Sequence, residues 1–133
     1  MAWDQARAHA RPIRLAVFVE EQRVPVEIEW DDQDETSLHA LAYSEEGNAI
    51  ATGRLLPDGH IGRMAVLKEW RGKGVGGAIL ERLVARARER GDKKIELFAQ
   101  THAIPFYRRY AFIESGAIFE EAGIPHQAMR RTL

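Results

Sequence analysis

One stretch, from Gly62 to Arg90, limits what this chain can become. It reads as a short apolar strand (Met64, Ala65, Val66, Leu67), a glycine-rich basic turn from Arg71 to Gly77, and an amphipathic helix. Val75, Ile79 and Leu83 recur at steps of four, and Leu80, Val84 and Ala87 fill the strip beside them, while Arg82, Arg86, Glu89 and Arg90 take the other side. The spacing predicts a helix that begins at the glycines. A helix N-terminus presents backbone N–H groups without intrahelical acceptors and about half a positive charge. Glycines that let a ligand reach that backbone, beside Arg71 and Lys73, therefore describe an anion cradle, and a phosphate group is its natural guest.

The run Gly72 to Gly77, GKGVGG, also satisfies the G-x-G-x-x-G fingerprint of dinucleotide-binding folds, and Glu96 falls near the expected acidic offset about 20 positions on. In such folds, however, the strand runs straight into the first glycine and opens a long series of βαβ units. Here Lys68, Glu69, Trp70 and Arg71 intervene, and fewer than half of the residues follow the loop. A nicotinamide-binding oxidoreductase is therefore the weaker reading.

Arg71, Gly74 and Gly76 match the R/Q-x-x-G-x-G/A loop of the GNAT superfamily of N-acetyltransferases. FYRRYAF, Phe106 to Phe112, is similar to the A-x-x-F-Y-x-x-x-G-F segment of the same family, with Ala103 in place and Ala111 where glycine is usual. VFVEEQRVP (Val17 to Pro25) and AGIPHQAM (Ala122 to Met129) resemble the opening helix and closing strands of one bacterial subgroup, so the resemblance covers nearly the whole chain. It implies an α+β domain: a mixed, mostly antiparallel sheet flanked by helices, with a β-loop-α-β core that binds acetyl-CoA. Such a domain usually opens with a strand ahead of the first helix. Only two residues precede Trp3, so that strand is expected to be short or absent, leaving a sheet edge open and a homodimer as one way to cover it.

With 133 residues and 45% hydrophobic composition, the chain can bury one core, and residues 1–133 are read as one domain. A formal net charge of −1 supplies no global basic field, so nucleic acid is not an expected partner. The absence of cysteine excludes a thiolate nucleophile and a cysteine-bound acyl intermediate. No signal peptide or membrane-length apolar run is visible, so the expectation is a cytoplasmic protein without a membrane partner.

Along the chain, Trp3 to His9 is expected to be helical, with Pro12 at an N1-like position opening a second helical piece through Gln22 that Pro25 ends. The acidic run Glu27 to Ser37 lacks the turn glycine and closing glutamate of a calcium loop, so no metal is expected. It reads as a solvated connection whose carboxylates could attract a cationic acceptor amine. Leu38–Ser44 and Ala49–Pro57 alternate as a hairpin, and a third strand ends at Leu67. Gly91 stops the long helix, Lys94–Gln100 returns as a strand, and a helix near His102 to Tyr110 precedes strands around Ile113–Phe119 and Gln127–Arg131.

The resemblance then distributes roles. Acetyl-CoA, as co-substrate, would lie with its pantetheine along Met64, Ala65 and Val66 and its pyrophosphate on Arg71, Gly72, Lys73, Gly74, Val75, Gly76 and Gly77. Gln100, Ala103 and Phe106 would complete that side. Tyr107 occupies the tyrosine that the family uses as general acid toward the coenzyme A thiolate, or else packs in the core beside Phe106; Tyr110 reads as packing. Glu21, Gln22 and His126 fall near the acceptor pocket, and Trp30 and Phe18 line it or pack. Glu20, Glu21, His39, His102 and His126 are open candidates for a base. The implied activity is acetyl transfer to a primary amine, of a small molecule or a peptide, by direct attack in a ternary complex. A noncatalytic acyl-CoA-binding module is the alternative.

Overall fold

The computed structural model describes all of residues 1–133. Helix α1 (Trp3–Arg14) continues as a π-helix (Leu15–Glu21), followed by a short α2 (Val26–Glu29). The strands are β1 (Leu38–Tyr43), β2 (Ala49–Leu55), β3 (His60–Val66), β4 (Lys94–Gln100), β5 (Ile113–Glu114), β6 (Phe119–Glu121) and β7 (Ile124–Thr132). Helix α3 (Val75–Glu89) joins β3 to β4, and α4 (Ile104–Arg108) follows β4. They form one sheet in the order β1-β2-β3-β4-β7-β5, with β6 also on β7, and every pairing except β3 with β4 is antiparallel. The single parallel pair is the one that α3 bridges, so the glycine loop opens no series of βαβ units and the dinucleotide fold does not form.

The stripe predicted on α3 is the one buried. Ile79, Leu80, Leu83, Val84 and Ala87 pack with Ala51, Leu55, Ile61, Ile95 and Leu97 in the main core. Truncating a side chain such as Leu83 there would cost about 2–5 kcal/mol. On the opposite face α1 lays Trp3, Ala6, Ala10 and Ile13 against β1 to β3, and Val17 of the π-helix continues the layer onto Ala65. Beyond that layer the outer face of β4 is uncovered, and Phe98 stands half exposed on it.

At the N-terminal half two expectations change, and that of a short or absent opening strand holds. Pro12 does not open a second helix: it lies inside α1, and the N–H of Leu15 is shared between the carbonyls of Arg11 and Pro12. Burial of Ile13, Arg14 and Val17 keeps the chain helical despite the lost donor, and winding relaxes to i→i+5 bonds such as Gln22 N–H to Val17 O (3.1 Å). No strand precedes α1, but Met1 exchanges backbone hydrogen bonds with His39 on the outer edge of β1, a rudiment of edge cover. The acidic run is a solvated connection only in part, with Glu27, Asp32 and Glu35 exposed. Glu29 and Asp34 are buried, and the run carries α2 and a 3₁₀ turn at Asp34–Thr36.

Candidate acyl-transfer cleft

Strands β3 and β4 pair only at His60↔Glu96 and Ile61↔Leu97, then separate. β3 stays with β2 and β4 stays with β7. The divergence is built into β3, where the register against β2 slips between Thr52↔Ala65 and Arg54↔Gly62 and Arg63 takes a left-handed φ of 50°. A cleft of about 1410 Å³ opens along the gap.

One end of the cleft is walled by the glycine loop. Gly72 (φ 75°) and Gly74 (φ 82°) hold left-handed conformations, and Gly74 is the N-cap of α3. None of the backbone N–H groups from Gly72 to Gly77 has an acceptor within the protein, and the first helical bond runs from Ala78 N–H to Gly74 O. Gly77 is required for a different reason, because a Cβ there would meet the Tyr110 hydroxyl at 1.8 Å. Arg109, which the sequence reading passed over, adds a cation to this end. Lys73 stands aside, its ammonium 5.2 Å from the centre of the Trp70 ring, and is not part of the cleft wall.

Midway, Tyr107 directs its hydroxyl toward the Met64 sulfur at 3.9 Å. Burial among Phe106, Phe112 and the core pushes its phenol up to about 12, so it is a proton donor throughout the neutral range. Gln100, at the end of β4, forms a reciprocal pair of amide hydrogen bonds with Gln22 (2.8 and 3.2 Å). The cleft wall at this level includes Met64, Ala65, Val66, Ala103 and Phe106.

The other end is made of side chains from distant segments. Buried Arg14 donates to Glu29 (2.6 Å) and Asp34 (2.8 Å), and Arg54 bridges Asp31 (2.8 Å) and Asp34 (3.0 Å). Arg63, on the bulge, lies 3.2 Å from both Glu29 and Asp31. Burial pushes the Glu29 carboxyl up against the pull of Arg63 and Arg14. Asp31 pays its own desolvation but is held at about 2 by its hydrogen bonds to Arg54 and the Gln33 backbone. These carboxylates are thus neutralised from within, which removes the expectation that Asp31 and Asp34 attract a cationic amine. No group of three or more His, Asp or Glu side chains converges as metal ligands.

A row of aromatic rings runs from that end toward Gln100, with His60, Phe98 and His126 on the cleft wall and Phe119 packed against the last two. His60 packs on Phe98 (5.5 Å), Phe98 meets Phe119 edge-on (5.3 Å), and Phe119 stacks on His126 (5.9 Å). Sequence reading missed His60, Phe98 and Phe119. Their signal lay in alternation: His60 and Phe98 sit among buried neighbours on strands read only for their apolar face.

The profile of the acetyltransferase (GNAT) domain matches residues 7–133. The chain belongs to the GNAT family. It is 39% identical over 123 residues to the uncharacterized N-acetyltransferase YjcF of Bacillus subtilis, covering 90% of this chain and 87% of that one. In structure it is similar to an acyl-CoA N-acyltransferase from Pseudomonas aeruginosa (TM-score 0.83, 32% identity, 94% of this chain and 89% of that one). It is similar as well to ElaA from Escherichia coli (TM-score 0.83, 30% identity, 93% and 88%).

Within the GNAT domain, two residues expected at the acceptor pocket are elsewhere. Glu21 pairs with Arg71 through both carboxylate oxygens (2.9 and 3.0 Å), while Arg71 Nε also donates to the Val66 carbonyl (3.0 Å). The π-helix turns Glu21 to the loop side, so it belongs with the anion cradle. Trp30 lies outside the cleft, with the Arg11 and Arg14 guanidinium groups 5.4 and 5.2 Å from its ring centre. Of the other candidates, Phe18, Gln22, His102 and His126 do line the cleft, and His39 does not: it is buried, with Nε2 2.9 Å from the Asp34 carbonyl. No helix is long and apolar enough to cross a membrane.

Proposed function

We propose that the protein transfers an acetyl group from acetyl-CoA to a primary amine, of a small molecule or a peptide, by direct attack in a ternary complex. The observation that carries this reading is the edge of β3. Beyond Ile61 that edge has lost β4 as its partner, unpaired glycine N–H groups open one end of the gap, and the Tyr107 hydroxyl reaches Met64 within it. A pantetheine arm of peptide-like amides suits such an edge, because it can bond to Met64, Ala65 and Val66 as an added strand would. The loop N–H groups and the α3 dipole suit the pyrophosphate.

The chain's residues then divide the work. A β3 backbone N–H stabilises the charge developing on the thioester oxygen, a contribution on the order of 3 kcal/mol. Tyr107 gives its proton to sulfur as the carbon–sulfur bond breaks, and regains one from solvent. Arg71 exchanges Glu21 for phosphate, an exchange between exposed partners that costs little. With no cysteine in the chain, acyl transfer through a cysteine thioester has no nucleophile.

Thermal stabilisation by acetyl-CoA and not by NAD, followed by thiol release with a panel of primary amines, tests the reading. Stabilisation without thiol release on any amine would leave a noncatalytic acyl-CoA-binding module. Stabilisation by NAD alone would overturn the cradle's assignment.

A further inference from the structure

His126, the third residue of β7, is paired in register with Gln100 at the end of β4 and with Phe119 on β6. Its Nδ1 lies 2.7 Å from the Ile124 carbonyl. A carbonyl only accepts, so Nδ1 carries the proton, and in the neutral ring Nε2 keeps its lone pair. Besides that bond one contact fixes the ring: Phe119 stacks on it at an interplanar angle of 24°, and the segment before Phe119 is pinned by buried Gln127, whose amide donates to the carbonyls of Ser115 and Gly116. The ring borders the cleft at the level where Gln100 and Gln22 meet.

Most other bases in the cleft are committed to partners, and the two that are not, His102 and Glu121, lack the ring-fixing contacts that hold His126. Glu29 and Asp31 are bound by Arg14, Arg54 and Arg63. His60 is flanked by Asp58 (3.1 Å) and Glu96 (3.2 Å), and Glu21, off the cleft wall, is held by Arg71. From this geometry we infer that His126 is the catalytic base, taking the proton of the acceptor amine on Nε2. The inference rests on the transferase reading above. In balance, the amine nitrogen bonds to the thioester carbon as one N–H proton passes to Nε2. The carbon–sulfur bond breaks, Tyr107 protonates sulfur, and His126 and Tyr107 then exchange one proton each with solvent.

His126→Asn separates base from scaffold, because an asparagine amide can still donate to the Ile124 carbonyl but has no basic nitrogen at the Nε2 position. Wild type, His126→Asn and His126→Gln are compared for acetyl-CoA affinity by calorimetry and for the pH profile of kcat/KM on the best amine of the panel. The titratable groups on neighbouring elements are Glu120 and Glu121 on β6, His102 in the turn after β4, and Glu96 four positions along on β4. The profile is therefore also taken for His102→Gln and Glu121→Gln. The expected result is a loss of about 10²-fold or more in kcat/KM for both His126 variants, acetyl-CoA affinity within twofold of wild type, and an acid limb absent only from those two. Recovery of activity by His126→Asn but not His126→Gln would assign the ring to scaffolding and overturn the inference. So would an acid limb that survives in both. Acetyl-CoA binding by wild type without transfer to any amine would overturn the transferase reading itself, and the base with it.

Discussion

At the glycine end the cleft is walled by backbone: N–H groups from Gly72 to Gly77 and the edge of β3 from Met64 to Val66. At the far end it is walled by side chains, with Arg54, Arg63, Glu29 and Asp31 in mutual ion pairs and His60 and Phe98 in ring contact. A wall of backbone depends on conformation, and conformation is written locally, in glycines and in the period of one helix. A wall of side chains depends on which residues meet, and these meet across gaps of tens of positions. The first kind suits a ligand shared by a whole family, the second a ligand peculiar to one member.

Breaking the far end should cost the fold while sparing the loop. Arg14→Ala strips partners from buried Glu29 and Asp34 and empties the contact between the Trp3 and Trp30 rings. Unfolding in urea should show a loss of about 3–5 kcal/mol, with acetyl-CoA affinity near native in the folded fraction. A larger fall in affinity than in stability would mean that the two ends are coupled.

Tyr107→Phe lies between the ends and removes only the hydroxyl. Turnover should fall about 10²-fold or more, with near-native stability and acetyl-CoA affinity, because the thioester sulfur becomes a strong acceptor only as thiolate. Full turnover by the variant would reduce Tyr107 to packing.

The charge on Asp31 sharpens the comparison through pH. Its carboxyl is held at about 2 in the fold against 3.8 when unperturbed, so its contribution is complete above the unfolded value and fades as pH falls through the folded one. The stability difference between wild type and Asp31→Asn should be at most about 2 kcal/mol above pH 4, fall to about 0.4 kcal/mol near pH 2 and vanish below it. A difference undiminished at pH 2 would assign the effect to hydrogen-bond geometry instead of charge.

At the glycine end, Gly74→Asp puts a carboxylate into the anion site and a side chain at a left-handed N-cap. Acetyl-CoA affinity should weaken at least about tenfold, or 1.4 kcal/mol, by calorimetry on the folded variant. Smallest of all is Ala111→Gly, just beyond α4. Ala111 holds a φ of 68°, and relief of that strain, set against the extra freedom of glycine in the unfolded chain, should stabilise by about 0.5 kcal/mol in urea.

The sequence was most legible where structure is local. The Val75–Ile79–Leu83 stripe, the loop glycines and the hairpin to β3 all occur where their spacing puts them. The bulge at Arg63 was not legible, since an arginine in an alternating strand gives no sign of a positive φ. The acidic run misled because charge density reads as exposure, whereas three arginines that are far apart in the chain fold onto it. A signal did exist: Arg54 sits inside the apolar run AIATGRLLP, and an arginine in a central strand must find a carboxylate. Glu21 was placed by resemblance alone, and the sequence gives no sign of the π-helix that turns it toward Arg71.

That π-helix has a further consequence. A π-helix behaves as an α-helix carrying an inserted residue, and losing one residue from Leu15–Glu21 would rotate all that follows by about 100°. Glu21 and Gln22 would swing away from Arg71 and Gln100, while α1 kept its seat on the sheet. A single-codon deletion can thus reassign this side of the cleft without touching the main core or the loop, provided that the turn at 22–25 absorbs the rotation before buried Val24 and Glu29. Deleting Val19 should leave melting temperature and acetyl-CoA affinity near native while changing the order of preference among amines; an unchanged order would show that the segment's length is silent. Gaps between relatives that fall between Arg14 and Pro25 would then mark a change of acceptor, in a place where an alignment would record only a loop of variable length.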